Sequence, residues 1–385
     1  MTLLIEKNKL FMIYLTSIIL TWSLFPYLSD FLAILILFRY IFLVKKIPKK
    51  IFFWILFCLS ILLSAILSLN ISNLIFVIRY SLHSLVVILL FFNLSKKNII
   101  KILTFLQYIV LPIALIYVYY LSIQDPHNLY TLGYGLFSGA KNHFGYFIIG
   151  NYFTILLLTD NFSYRFKFLT LITLIEINYT HSLTAFISFT AAILVFVLYK
   201  LKNKKWFFGI VGVAILLLII SFSFINFSFL DSNIFQGTEI NYFINRTLNI
   251  QNDASWNIRS NYLFKKFNNK FQRSHIINLF FGYGNFKNFQ REHPFDNSYF
   301  AVLLGGGLFL IVVLILLITR NFLWLKNKHK LIYLFIFALY TLLYFASANI
   351  LFEIQNIYPM IMLFFGKDFI NYHDRYQSKQ YKSLK

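Results

Sequence analysis

Long apolar runs alternate with short polar connections along almost the whole chain. A helix needs about 20 apolar residues to cross the hydrocarbon core of a bilayer, and shorter helices are tolerated inside a bundle. Runs of this kind predict twelve spans, at about 9–28, 30–44, 51–69, 73–94, 100–121, 143–159, 164–179, 181–199, 206–225, 296–319, 331–348 and 350–366. The pattern therefore predicts an all-α polytopic membrane protein.

The basic residues between the spans fall almost entirely on one side of this arrangement. Alternate connections and the two termini hold 24 lysines and arginines, whereas the opposite short connections hold only Lys141. Short loops rich in lysine and arginine remain in the cytoplasm. We therefore expect both termini to be cytoplasmic.

Two of the outward connections are too long to be simple turns, at about 122–142 and 226–295. The second contains eight basic and four acidic residues, and a basic surface beside a bilayer suits an anionic partner. The predicted organisation is thus nine spans with short loops (1–225), a large extracytoplasmic loop (226–295), three spans (296–366) and a basic cytoplasmic tail (367–385).

Composition excludes a soluble enzyme. Only 12% of the 385 residues are charged and 59% are hydrophobic, whereas soluble domains carry about 25% charged residues. The net charge of +22 could suggest a nucleic-acid partner, but the charges cluster between apolar runs, so we expect none. Cys58 is the only cysteine, which excludes disulfides and cysteine-ligated metal sites, and we expect no metal.

Glycine is concentrated beside the outward loops. Of 14 glycines, five lie between Gly133 and Gly150, two are Gly282 and Gly284, and three form the run 305–307. Glycine permits positive φ and close backbone approach, so these segments are predicted to build tight structure at the outer mouth of the bundle. For 305–307 the alternative is close helix packing alone.

Four stretches of sequence form a further pattern: GLFSGAKNHFGY (135–146), the serine-containing THSLTA (180–185), SWNIRSNY followed by LFFGYGNF (255–262 and 279–286), and DNSYFAVLLGGG (296–307). Taken together and in this order, they resemble the O-antigen polymerase and ligase superfamily. We call them the four motif segments.

The resemblance implies a multi-span glycosyltransferase of the bacterial plasma (inner) membrane, similar to the GT-C type lipid-dependent enzymes. Such an enzyme joins undecaprenyl-diphosphate-linked oligosaccharide repeat units into O-antigen of lipopolysaccharide or into capsular polysaccharide. The leaving group is itself a diphosphate, so no cofactor is expected. The implied partners are the lipid-linked glycans, the lipid bilayer, and flippase and chain-length regulator proteins.

Two residues are the candidate catalytic groups. Arg259 occupies the family's loop-arginine position, and its planar fork suits the departing diphosphate; the alternative is a solvated loop charge. Asp296 is the candidate acceptor of the hydroxyl proton, or only a helix cap. Ligases generally have histidine where Asp296 stands, which favours a polymerase. His293, three residues earlier, could take the place of that histidine, so a ligase remains an alternative.

Arg79 and His83 form a further candidate diphosphate site, because a charge within a span by default suggests function. Their spacing of four puts both on one face of the fourth span. Alternatively, Arg79 snorkels or pairs with an acidic residue such as Glu176. The remaining candidates for contact with sugar or diphosphate are Lys141, Asn142, His143, Arg246, Arg273, Gly282, Gly284, His293 and Asn297; the first three have an ordinary interfacial cluster as their alternative.

A lipid-linked oligosaccharide flippase or other transporter is the rival from a different class. Transporters usually show interrupted helices, charges within the membrane and similarity between their two halves. No internal repeat is evident, and a transporter needs no long outer loop, so a polymerase remains the first prediction.

Overall fold

A computed structural model describes residues 8–18, 27–41, 51–67, 71–124, 141–159, 164–180, 182–200, 276–284, 298–323, 328–345, 351 and 354–383. All regular secondary structure within these ranges is helical, as the apolar runs predict. The predicted ninth span and most of the large loop lie outside the described residues. The chain divides into two compact units, residues 1–192 with 278–385 and residues 193–277. The sites below all lie in the first unit.

The helices follow the predicted spans closely. In chain order they are α1 (8–18), α2 (Leu28–Ile41), α3 (Ile51–Leu67), α4 (Ile71–Asn93), α5 (Lys96–Phe105), a π-helical turn (Leu106–Val110), α6 (Leu111–Gln124), α7 (Lys141–Leu158), α8 (Tyr164–Tyr179), α9 (Leu183–Lys200), α10 (Ile276–Phe281), α11 (Ser298–Leu323), α12 (Lys328–Phe345), a 3₁₀ turn (Ile354–Asn356) and α13 (Ile357–Ser383).

Three helices depart from the simple prediction. The fifth span is one helical rod of α5, the π turn and α6. The tenth, α11, is interrupted at Gly307, which has φ 65° and ψ −166°. The twelfth begins at Ile357 rather than near 350 and continues to Ser383, so most of the predicted tail is helical.

Several helices have the length and composition of membrane spans. The stretches 71–93, 96–117 and 301–322 are long and apolar enough to cross a bilayer, and 52–67, 143–158, 184–196 and 330–345 are shorter apolar helices. Large apolar side chains also point outward, such as Phe31 and Phe38 on α2 and Ile315 on α11. An apolar exterior of this kind suits a lipid environment, and the chain is a membrane protein.

Two helices lie at the centre of the first unit. In α7 every residue from 144 to 158 is buried, and in α13 every residue from 357 to 370 is buried. A helix buried all round must be enclosed by others. Accordingly α13 packs against α4, α7 and α11, while α7 packs against α5, α8, α12 and α13.

Two contacts between helices can be compared with the predicted topology, which itself stays a prediction. On the predicted cytoplasmic side, Arg320 forms an ion pair with Asp368 and lies over the Phe53 ring. On the predicted outer side, the Tyr146 hydroxyl lies 3.0 Å from that of Thr341. Each contact joins ends predicted to share one side of the membrane.

Candidate functional site

The third and fourth motif segments meet through their glycines. Tyr283 N donates to Leu304 O at 2.6 Å, and Gly284 N donates to Gly305 O at 2.9 Å. Both carbonyls lie within one turn of the break in α11 at Gly307. The end of the large loop therefore docks by backbone hydrogen bonds onto the interrupted helix.

This docking leaves no room for side chains at Gly282 and Gly307. Both have positive φ, at 72° and 65°. A Cβ on Gly282 would lie 2.4 Å from Gly305 O, and a Cβ on Gly307 would lie 2.4 Å from Phe280 O. Both predicted roles of these glycines therefore occur together. The glycines form a tight structure beside the loop, and they allow α11 to pack closely against it.

The first and second motif segments meet as well. Ser182 caps α9, because its hydroxyl oxygen accepts from Ala185 N at 3.2 Å. A Cβ on Gly145 would lie 2.7 Å from Ala185 Cβ and 2.9 Å from the Tyr344 hydroxyl. That hydroxyl is also 3.3 Å from Ser182 Oγ. The predicted helix start at the THSLTA segment is confirmed.

Residues at the predicted outer end of α12 contact both pairs of segments: the first with the second, and the third with the fourth. Tyr344 contacts the first and second segments, as described above. The hydroxyl of Tyr299, in the fourth segment, donates to Leu342 O at 2.7 Å, and its ring meets that of Phe345 edge-on at 5.7 Å. The described parts of the first, second and fourth motif segments therefore lie beside residues 342–345, and the described part of the third contacts the fourth. We call this group of contacts the outer cluster.

A second group of polar residues lies between α1, α2 and α4. Arg79 Nε donates to Asp30 Oδ1 at 2.7 Å, and His83 Nε2 lies 2.7 Å from the same oxygen. The other ring nitrogen of His83, Nδ1, is 2.7 Å from the Tyr14 hydroxyl. We call Tyr14, Asp30, Arg79 and His83 the Asp30 cluster.

The charges of the Asp30 cluster balance. The Asp30 carboxylate can only accept, so His83 Nε2 carries a hydrogen; Nδ1 of the neutral ring then accepts from Tyr14. Arg79 and Asp30 are a cation and an anion in contact, with 26% and 19% of their side chains exposed. Arg79 and His83 do share a face, as their spacing predicts, but the acid beside Arg79 is Asp30 rather than Glu176.

A third polar group is fully enclosed between the π turn, α7 and α8. Gln107 Nε2 donates to Glu176 Oε2 and, at 3.2 Å, to Thr173 Oγ1. Asn151 Nδ2 donates to Gln107 Oε1 at 2.6 Å and to Leu103 O at 3.0 Å. We call Gln107, Asn151, Thr173 and Glu176 the Glu176 cluster, and each of its side chains is at most 2% exposed.

The remaining predicted site residues divide into two sets. Lys141 and Asn142 are the first residues of α7, and His143 follows, partly buried. The others lie outside the described residues: Arg246, Arg259, Arg273, His293, Asp296 and Asn297. Within the described ranges, no group of three or more histidine, cysteine, aspartate or glutamate side chains could hold a metal ion.

Six residues of the Asp30 and Glu176 clusters were not predicted as site residues: Tyr14, Asp30, Gln107, Asn151, Thr173 and Glu176. Gln107 and Asn151 carried a usable signal, because amides inside apolar spans need partners. Tyr14 carried no comparable signal, since tyrosine is frequent in this chain, with 26 copies.

Comparison with known proteins adds nothing to this picture: no family model, no curated protein and no solved structure matches the chain.

Proposed function

We propose that this protein is a polymerase of lipid-linked glycans, which joins undecaprenyl-diphosphate-linked repeat units at the outer face of the plasma membrane. The observation that carries the proposal is the outer cluster. The motif segments come from the sequence alone and are spread over residues 135–307, and their described parts are linked by direct contacts or through α12. Chance likeness at four places would not require them to be neighbours in space.

The proposed reaction transfers a glycan from diphosphate to a sugar hydroxyl. The bond between the anomeric carbon and the diphosphate oxygen breaks, and a bond from that carbon to the acceptor oxygen forms. The acceptor proton passes to a base, for which Asp296 is the candidate, and Arg259 holds the departing diphosphate. Asp296 stands two residues before Ser298, where the described part of α11 begins beside the outer cluster.

A transporter of lipid-linked glycans is the second candidate, because α11 is interrupted at Gly307. In transporters, carbonyls freed by such breaks coordinate ions or substrate. Here the Leu304 and Gly305 carbonyls already accept hydrogen bonds from the loop backbone. The break is therefore used for docking the loop, which favours the enzyme over the transporter.

Reconstitution separates these candidates. Purified protein in liposomes would be supplied with lipid-linked repeat units on the face that carries the large loop. A ladder of longer glycans would support the polymerase. Transfer only to a different acceptor would identify a ligase, and movement of intact lipid-linked units across the bilayer without new glycosidic bonds would identify a transporter.

The glycine contacts provide a sharper test within the same assay. Gly307→Ala should reduce polymerisation strongly, by about 10²-fold, because the added Cβ displaces the docked loop from its position. Gly366→Ala is the matched control: its Cβ would meet nothing closer than Met362 Cε at 3.7 Å. Equal activity in the two variants at equal membrane abundance would remove the docked loop from the reaction.

A further inference from the structure

No cation lies beside Glu176 in the part of the chain that the structure describes. Of the residues that the structure describes, only Gln107 gives Glu176 a side-chain hydrogen bond, and that bond reaches Oε2. Oε1 is buried and has no partner. An isolated carboxylate in the interior of a membrane protein is costly, because neither water nor a cation compensates its charge.

Counting donors shows what the cluster lacks. The Gln107 amide nitrogen and the Asn151 amide nitrogen are both donating, and the Thr173 hydroxyl donates to Leu169 O at 2.8 Å. Two acceptors remain, Glu176 Oε1 and Asn151 Oδ1, both buried and unpartnered. Turning the Asn151 amide would not help, since its oxygen would then face the Leu103 carbonyl.

The neighbouring helices supply no compensating charge. Helix α8 packs against α7, α6 and the π turn. The described parts of these elements carry cations or histidine only at the start of α7, at Lys141 and His143. Glu176 acts electrostatically on the fully buried Tyr358, whose hydroxyl has no partner either and remains neutral in such surroundings, so Tyr358 supplies no positive charge.

The local backbone is also unusual at this point. Gln107 lies in the π turn, where the helix takes one extra residue per turn. Such π turns occur often at functional sites. Here the turn brings the Gln107 amide within reach of both Asn151 on α7 and Glu176 on α8.

We propose that Glu176, Gln107 and Asn151 form a buried binding site for one proton, held on Glu176 Oε1. Bound there, the proton neutralises the carboxylate and provides the donor that the cluster lacks. Nothing in this inference depends on the glycan chemistry proposed above. It makes Glu176 a proton-binding group inside the bundle, three residues before the end of α8 at Tyr179.

Infrared spectroscopy tests this directly on the purified full chain in lipid nanodiscs. The chain has only five glutamates, so ¹³C-glutamate labelling identifies their carboxyl bands. At neutral pH, wild-type protein should show a protonated-carboxyl C=O band that shifts with the label and is lost in Glu176→Gln. Absence of such a band, or its persistence in Glu176→Gln, would overturn the proposal.

Two further measurements keep the result unambiguous. Gln107→Met keeps Glu176 but removes the hydrogen bond to Oε2, so the same band should move to higher frequency; an unmoved band would contradict the assignment even if Glu176→Gln misfolds. Sodium chloride would be compared with the chloride of a large organic cation at fixed pH. Loss of the band in sodium alone would show that the site takes sodium, and the proton would be the wrong occupant.

Discussion

The Asp30 cluster is partly buried and the Glu176 cluster fully buried, and each is centred on one acid. Among the described residues, only the Asp30 cluster contains its own counter-charge. Asp30 faces Arg79 and a histidine that hydrogen-bonds to the same oxygen. Glu176 is buried and accepts one side-chain hydrogen bond, from the Gln107 amide. An acid paired with a cation can stay ionised in the folded protein. A buried acid without a cation is instead neutralised by a proton or another cation taken up from solution.

Arg79 is already paired with an acid, which makes it a weaker candidate for binding diphosphate. A guanidinium already paired with Asp30 offers a diphosphate less net attraction than the sequence suggested, because the carboxylate repels the same ligand. The Asp30 cluster is therefore better suited to joining α2 and α4 than to holding a leaving group. Arg259, outside the described residues, remains the candidate for that task.

The largest difference should appear when each acid is replaced by its amide. Asp30→Asn leaves Arg79 without its counter-charge in a largely enclosed site, and it should lower the free energy of unfolding by about 3 kcal/mol. Unfolding in mixed micelles with increasing dodecyl sulfate measures it. The double variant Asp30→Leu/Arg79→Met should recover most of the loss, because no charge is then left unpaired. A loss below about 1 kcal/mol in Asp30→Asn would mean that solvent already screens the pair.

The spans were predictable because lipid imposes a single strong rule on them. Apolar runs alone place α8 at Tyr164–Tyr179, as found, and α3 and α7 within two residues of their observed ends. Since backbone groups in lipid must be satisfied internally, a long apolar run has few alternatives to a helix. The start of α13 was missed because the run from 350 is equally apolar whether or not a 3₁₀ turn precedes the helix.

The site was less predictable, because its contacts join residues far apart in the chain. The sequence predicted that glycines near the loop would adopt positive φ, as Gly282 and Gly307 do. It did not predict that these two glycines would lie against each other. Likewise, the sequence marks Arg79 as needing a partner without distinguishing Asp30 from Glu176. Both acids lie near span ends on the same predicted side, so only the packing of α2 against α4 decides between them.

Two tyrosines provide a smaller test of the same contrast. The Tyr14 hydroxyl bonds to His83 Nδ1, whereas the Tyr358 hydroxyl is buried without a partner. Tyr14→Phe should therefore cost about 1 to 2 kcal/mol, since it leaves the His83 nitrogen unsatisfied, while Tyr358→Phe should cost almost nothing. Unfolding of both variants under identical conditions measures this. If both variants lost the same free energy of unfolding, the loss would come from removing a buried hydroxyl and not from the hydrogen bond to His83.

The smallest expected effect is that of Glu176→Gln below about pH 4, where the unfolded wild-type chain also holds the proton. Glutamine can accept from Gln107 with its oxygen and donate with its nitrogen, so it reproduces a protonated glutamate, and at that pH the change should stay within about 0.5 kcal/mol. The pH dependence provides the control. If the folded protein holds a proton that the unfolded chain releases, wild-type stability falls as pH rises, by at most about 1.4 kcal/mol per pH unit. That fall should be absent in Glu176→Gln. Parallel pH profiles of wild type and variant would mean that Glu176 carries the same charge in the folded and unfolded chain. The Glu176 cluster would then bind no proton on folding, and it would differ from the Asp30 cluster only in geometry.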